Sequence, residues 1–160
     1  MTESFLVAEL HKFSYKSKLR VSNEKVHPID VAFMNNRKDA FSEENLGPRL
    51  ETIVYIELLR RCNEKGDDVF YYADRSAECD FVVCDGDTVQ TAIQVSYNIT
   101  NPKTRRRELN GLIKAAQELG AKELLLLTDY EYDNIEEKGL KIAIRPTYEF
   151  LLTNEFLPRG

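Results

Sequence analysis

Apolar residues along this chain recur at two spacings, and the switches between them predict the order of elements. From Pro48 to Cys62, Leu50, Ile53, Val54, Leu58 and Leu59 return every three or four positions, which predicts a helix with a proline in its first turn. Three β-type segments follow at 67–73, 78–84 and 88–97. Asp85-Gly86 forms a tight-turn signal between the last two, so together they predict an antiparallel meander. Asn101 then stands as a cap before Pro102, and Leu109, Leu112, Ile113, Ala116 and Leu119 make the buried stripe of a second helix that Gly120 ends. Strands are expected at 123–128 and 140–144, and Pro146 opens a short closing helix through 152. The acidic stretch 129–137 reads as a solvated loop.

The expected core order is therefore α-β-β-β-α-β-β-α. Ile93 to Val95 and Leu124 to Leu127 are apolar enough to be covered on both faces, as central strands of a helix-flanked sheet are. Strand, crossover helix and strand over 88–128 favour a right-handed parallel unit. The fold class is α/β, a mixed sheet with helices on its faces. The first 45 residues differ from the rest and are expected to form a lead-in. A strand at 5–10 is followed by a basic stretch, 12–25, containing five Lys or Arg. The β pattern resumes over 25–34 with Pro28 at an edge or entry position, and 35–45 is polar loop with a short helix.

At 160 residues, with 42% hydrophobic and 31% charged, the chain can bury one ordinary core. A net charge of −5 argues against a module held to nucleic acid mainly by phosphate neutralisation. No apolar run approaches the ~20 residues that span a bilayer, and no export signal opens the chain, so a cytoplasmic protein without membrane contact is expected. Cys62, Cys79 and Cys84 are odd in number and lack CxxC spacing; buried reduced thiols are the expectation. GxSxG is absent, and His11 and His27 fall in the lead-in, so no nucleophilic arrangement forms around Ser96.

Chemistry concentrates on Glu51 in the first helix, Asp80 in the second core strand, and Gln94 with Ser96 in the third. Gln94 and Ser96 share a face by period two. Whether Asp80 joins them depends on the hairpin: a strict two-residue loop at Asp85-Gly86 pairs Asp80 with Thr91 and points it away, whereas an odd-length loop brings it round. The odd loop is expected. Each residue also has a plainer reading. Glu51 suits the positive end of a helix dipole, and Gln94 and Ser96 can simply hydrogen-bond the acids; an Asp within a strand is harder to explain without function.

These segments resemble the restriction-endonuclease-like fold, in which an acid on the first core helix, an acid on a strand and an (Asp/Glu)-x-Lys on the next strand surround Mg²⁺. Leu50-Glu51-Thr52, Glu78-Cys79-Asp80-Phe81-Val82-Val83 and Ile93-Gln94-Val95-Ser96-Tyr97 carry the likeness. With 45–60 and Thr104-Arg105-Arg106-Arg107-Glu108-Leu109, they also resemble the C-terminal domain of uncharacterised function found in bacterial and archaeal AAA-type ATPases. The resemblance implies a connecting segment over 1–45, a nuclease-like domain over 46–160, and an ATPase domain in cis or another protein as partner.

It also implies vestigial catalytic positions at Glu51, Asp80, Gln94 and Ser96. In active members two carboxylates hold the metal and the lysine orients the attacking water. Here Gln94 offers a neutral carbonyl and Ser96 carries no charge, so a non-catalytic interaction domain is the first expectation. Weak binding of Mg²⁺ or Mn²⁺ by Glu51, Asp80 and Gln94 is compatible with it, and no cofactor is required. No Walker A loop occurs, so this chain has no ATP site by that route. The alternatives are a divalent-metal-dependent DNA nuclease, or DNA binding without cleavage through Lys103, Arg105, Arg106 and Arg107. Those cations open the second helix against its dipole, although a solvated helix end also accounts for them.

Overall fold

The computed structural model describes residues 6–15, 24–36 and 43–153. Most of the basic stretch and most of the polar stretch before the first helix lie outside the described residues. Two sheets form. A small hairpin pairs β1 (Val7–His11) antiparallel with β2 (Glu24–Pro28), and a 3-10 helix, Val31–Asn36, follows where the β pattern was expected to continue. The main sheet has six strands in the order β3-β4-β5-β6-β8-β7. They are β3 (Asp68–Ala73), β4 (Glu78–Asp85), β5 (Thr88–Val95), β6 (Glu123–Thr128), β7 (Asp133–Glu137) and β8 (Leu140–Pro146). The helices are α1 (Glu43–Lys65), α2 (Pro102–Leu119) and α3 (Thr147–Leu152).

The sheet is mixed because β3, β4 and β5 form the antiparallel meander, whereas β5, β6 and β8 run parallel. Period two sorts its side chains between two cores. Leu124 and Leu126 pack with Leu109, Leu112, Ile113 and Ala116 of α2. Leu125 and Leu127 face the other way, onto Val54, Tyr55 and Leu58 of α1 and Phe150 of α3. Helices thus cover both faces. The lead-in is packed onto this body: Leu10 is fully buried against α1 residues, and the Phe13 N–H donates to the Tyr71 carbonyl at the outer strand.

Three expectations are corrected. The acidic segment contains a strand, β7, so the core order is α-β-β-β-α-β-β-β-α. It hydrogen-bonds β8 through a two-residue turn at Lys138 and Gly139, both with positive φ. Helix α1 begins upstream of Pro48, which lies inside it. Gly47 immediately before the proline has no Cβ to clash with the ring, and that allows helical geometry to cross a position that normally blocks it. Finally, the β4–β5 loop is not odd. Asp85 pairs with Thr88 around Gly86 and Asp87, with Gly86 at φ +57.

Candidate functional site

Parity at the site comes from irregularities inside the strands. On β5, Thr91 opposes Val83 but Val89 opposes Cys84, so Gln90 is an extra residue. That bulge moves the register by one and leaves Phe81 opposite Ile93, with Asp80 and Gln94 next in line. A second bulge lies on β4 itself, where three steps from Val82 to Cys79 match two on β3 from Phe70 to Tyr72. Beyond Phe81 the regular ladder between β4 and β5 stops, and side chains fill the gap. The Val95 N–H donates to Asp80 Oδ2 at 2.9 Å, and the Asp80 N–H donates to Gln94 Oε1 at 3.3 Å.

A cleft of about 1190 Å³ opens at this point. Glu51, Asp80, Gln94 and Ser96 all line it, together with Glu78, Lys103, Arg106, Arg107 and Glu108. Helix α2 sets one wall because it lies unusually close to the sheet: a Cβ on Gly111 would fall 2.1 Å from the Glu78 carbonyl oxygen. Gln94 spans the floor, its Nε2 donating to Glu108 Oε2 at 2.7 Å. Glu108 is buried, and its Oε1 also accepts from Arg107 Nε at 3.0 Å. Ser96 is held through its backbone N–H to the Leu127 carbonyl, while its hydroxyl lies 3.5 Å from the Asn98 carbonyl.

The basic cluster divides. Lys103, Arg106 and Arg107 face the cleft, Arg107 bound to Glu108. Arg105 turns away to Glu131 and Asp133, at 3.3 and 3.5 Å.

Pattern reading missed the contribution of the lead-in. Lys25 and His27 alternate along β2 and so share a face. Lys25 Nζ ion-pairs with Glu78 and lies 3.7 Å from Glu51 Oε1 and 3.9 Å from Asp80 Oδ1. An ammonium group therefore stands among the acids, although none is present at position 96. His27 Nδ1 lies 3.3 Å from Thr52 Oγ1, and its ring packs on Tyr55 with centroids 4.8 Å apart. Glu78, Glu108 and Gly111 also went unrecognised. The Lys25-Val26-His27 alternation was the available signal, but only the tertiary packing of the hairpin shows what those side chains meet.

The electrostatics follow from crowding acids in a partly dry place. Burial and the nearby Glu51 raise the Asp80 carboxyl well above the aspartate range, against the pull of the Val95 N–H and Lys25. Burial raises Glu51 too, against Lys25. Burial by itself would lower the Lys25 ammonium, yet Glu51, Glu78 and Asp80 carry it above its ordinary value. His27 is pushed down to about 4 by burial and by the Lys25 charge, so its imidazole is neutral near pH 7.

The carboxylates of Glu51 and Asp80 are suitable donors for a hard divalent cation, whereas the Gln94 carbonyl is turned to the Asp80 N–H. A separate trio, Glu9, His11 and Glu24, has ligand atoms within 4.8 Å of one another on the β1–β2 hairpin and could coordinate a divalent metal. Among the described residues no helix is long and apolar enough to cross a membrane.

Residues 46–146 match a family model described as a domain of unknown function, DUF4143. Among curated proteins, the uncharacterized protein MJ1544 of Methanocaldococcus jannaschii is 31% identical over 158 residues, covering 95% of this chain and 34% of its own length. The chain thus spans about a third of the curated relative it matches. No solved structure matches significantly. Because the family model extends over most of a 160-residue chain, this protein belongs to the DUF4143 family.

Proposed function

We propose that this is a non-catalytic domain of restriction-endonuclease-like architecture, serving as the C-terminal interaction module of an AAA-type ATPase. One observation carries the reading: two of the groups at the nuclease positions, Asp80 and Gln94, are committed to internal hydrogen bonds. Gln94 uses its carbonyl on the Asp80 N–H and its amide on Glu108, while Asp80 takes the Val95 N–H. Cleavage of a phosphodiester needs free carboxylate oxygens on a metal and a cation directed at the attacked phosphate. Here one Asp80 oxygen and both ends of the Gln94 amide are taken up internally, and the nearby ammonium is ion-paired to Glu78 and lies 3.7 Å from Glu51 and 3.9 Å from Asp80. Buried polar groups satisfied in this way hold two strands and a helix in register, which is a structural role. In the archaeal relative about two thirds of the chain lies outside the matched part, which leaves room for an ATPase domain in that protein.

The direct test is incubation of the protein with supercoiled plasmid and either Mg²⁺ or Mn²⁺. No nicking is expected. Nicking that disappears in Asp80→Ala would overturn the proposal in favour of a metal-dependent nuclease. DNA binding without cleavage is a second reading, supported by Lys103, Arg106 and Arg107 on the same cleft. It requires affinity that falls with salt, and a slope reduced by about one for each phosphate-contacting cation replaced by alanine. Affinity indifferent to salt dismisses it.

A further inference from the structure

The two faces of the β1–β2 hairpin meet different surroundings. Ala8, Leu10, Lys25 and His27 turn inward, onto the body of the molecule, and alternation sends Val7, Glu9, His11, Glu24, Val26 and Pro28 to the other side. On that outer side Val26 is 58% exposed and Val7 39%, and at the end of the hairpin Leu6 and Ile29 are 59% and 44% exposed. Four large apolar side chains left in water on one hairpin are a patch rather than scattered surface residues. The register arranges the outer face in rows: Val7 stands opposite Pro28, Glu9 opposite Val26, and His11 opposite Glu24. One end is therefore apolar. At the other, Glu9, His11 and Glu24 bring one polar atom each within 4.8 Å of one another. Rows on one face are about 6.8 Å apart, so the apolar and acidic ends are centred about 7 Å from each other.

Charge decides what can cover this face. Two carboxylates beside the apolar rows repel anionic lipid headgroups and nucleic-acid phosphates alike. A second copy of the chain does not supply the missing cation: α3 exposes Tyr148, Leu151 and Leu152, but its one charged residue is Glu149. A sheet face is most simply covered by a helix, on which residues four apart stand about 5–6 Å from each other, and a lysine or arginine stem extends that reach. We propose that the outer face of the β1–β2 hairpin docks an amphipathic basic helix of a partner protein, its apolar side on Val7, Val26 and Pro28 and a Lys or Arg between Glu9 and Glu24. This face lies outside the segment 46–146 matched by the family model and contains no residue that lines the cleft, so the inference stands apart from whether the cleft cuts DNA.

Fluorescence anisotropy with the whole chain tests it, in EDTA so that no metal bridges the acids. The probe is a fluorescein-labelled helical peptide of about 18 residues built from Leu, Lys and Ala, with each Lys four positions after a Leu. Saturable binding is expected, weakening as salt rises. Val26→Ser, and Glu9→Gln with Glu24→Gln, should each weaken it about ten-fold. All three side chains are exposed, and Glu9 holds the Tyr55 hydroxyl through its backbone carbonyl, so the variants keep the fold. The same peptide with Glu in place of Lys should not bind. Absence of saturable binding at millimolar peptide, equal binding of the Glu peptide, or affinity indifferent to either variant overturns the proposal. Amide shifts induced over 7–11 and 24–28 support it, and shifts confined to the cleft refute it. Sedimentation that finds dimers dissolved by Val26→Ser also refutes it, by assigning the face to a second copy.

Discussion

Replacing Gly111 by alanine separates local propensity from tertiary packing, because the two give opposite signs. In an exposed helix the change would stabilise by about 1 kcal/mol, since glycine has more backbone entropy to lose. In α2 the added Cβ would stand 2.1 Å from the Glu78 carbonyl oxygen, 3.2 Å from its carbon and 3.3 Å from Gln94 Oε1. Ordinary C···O contact needs roughly 3.3 Å, so the helix and β4 must separate by about 1.2 Å. The obstacle is strand backbone, which cannot rotate aside, and lifting α2 loosens Leu112, Ile113 and Ala116 from the core. Overpacking of this kind costs ~1–3 kcal/mol, and backbone resistance places this case near the upper end. Subtracting the propensity gain leaves a loss of about 2 kcal/mol, or a fall in Tm of roughly 4–8 °C for a chain of this size. Urea denaturation and calorimetry of Gly111→Ala measure it, with Gln117→Ala and Gln117→Gly on the exposed face of α2 calibrating the propensity difference. A variant as stable as the parent, or more so, would show that α2 does not rest directly on β4.

Three further outcomes are expected. Arg61 is 2% exposed and donates to the Phe150 and Thr153 carbonyls and to Glu57, tying α3 to α1. Arg61→Met should cost about 3 kcal/mol in urea denaturation, and Phe150 should become more mobile by NMR; a loss below about 1 kcal/mol refutes the tie. Gln94→Glu restores the carboxylate of the nuclease pattern but sets it against Glu108, now 2.7 Å from the amide. The folded state would then hold a proton that the unfolded state releases, so stability should fall by about 1–3 kcal/mol between pH 5 and 8; a flat profile contradicts the contact. Lys114, with the Ser76 and Ala77 N–H groups, holds the Asp74 carboxyl well below the usual range. Its stabilisation should be complete above pH 4 and lost as the pH falls through the folded-state value, and an NMR titration should show the midpoint rising in Lys114→Ala.

Elements specified by local chemistry were legible in the sequence. Helix α2 was read from Asn101, Pro102 and Gly120, and in the structure Asn101 accepts the Lys103 N–H while Gly120 adopts φ +72. Strand β6 was equally plain, because Leu124 to Leu127 leave no polar face. Strand β7 was hidden because its residues are mostly acidic and its turn uses a left-handed Lys138 where asparagine or aspartate is usual before glycine. The co-location of Glu51, Asp80, Gln94 and Ser96 around one cleft was anticipated, but by an odd loop; the structure achieves it with the extra residue Gln90, which no turn signal announces. Lys25 and His27 escaped for a different reason. A hairpin's partner in space depends on long-range packing, and sequence spacing carries no information about that.

The outer margins of the main sheet are closed by different means. On one side β7 presents Asp133, Asn134 and Glu136 to solvent, so a neighbouring strand would have to bring its backbone against fixed negative charge. On the other, Lys12 and Phe13 already engage the Tyr71 backbone of β3. Neither border offers a bare, neutral template for an incoming extended chain. A protein with this much aliphatic sequence in its middle strands should therefore resist the lateral stacking that drives fibre growth, and should stay dispersed when concentrated.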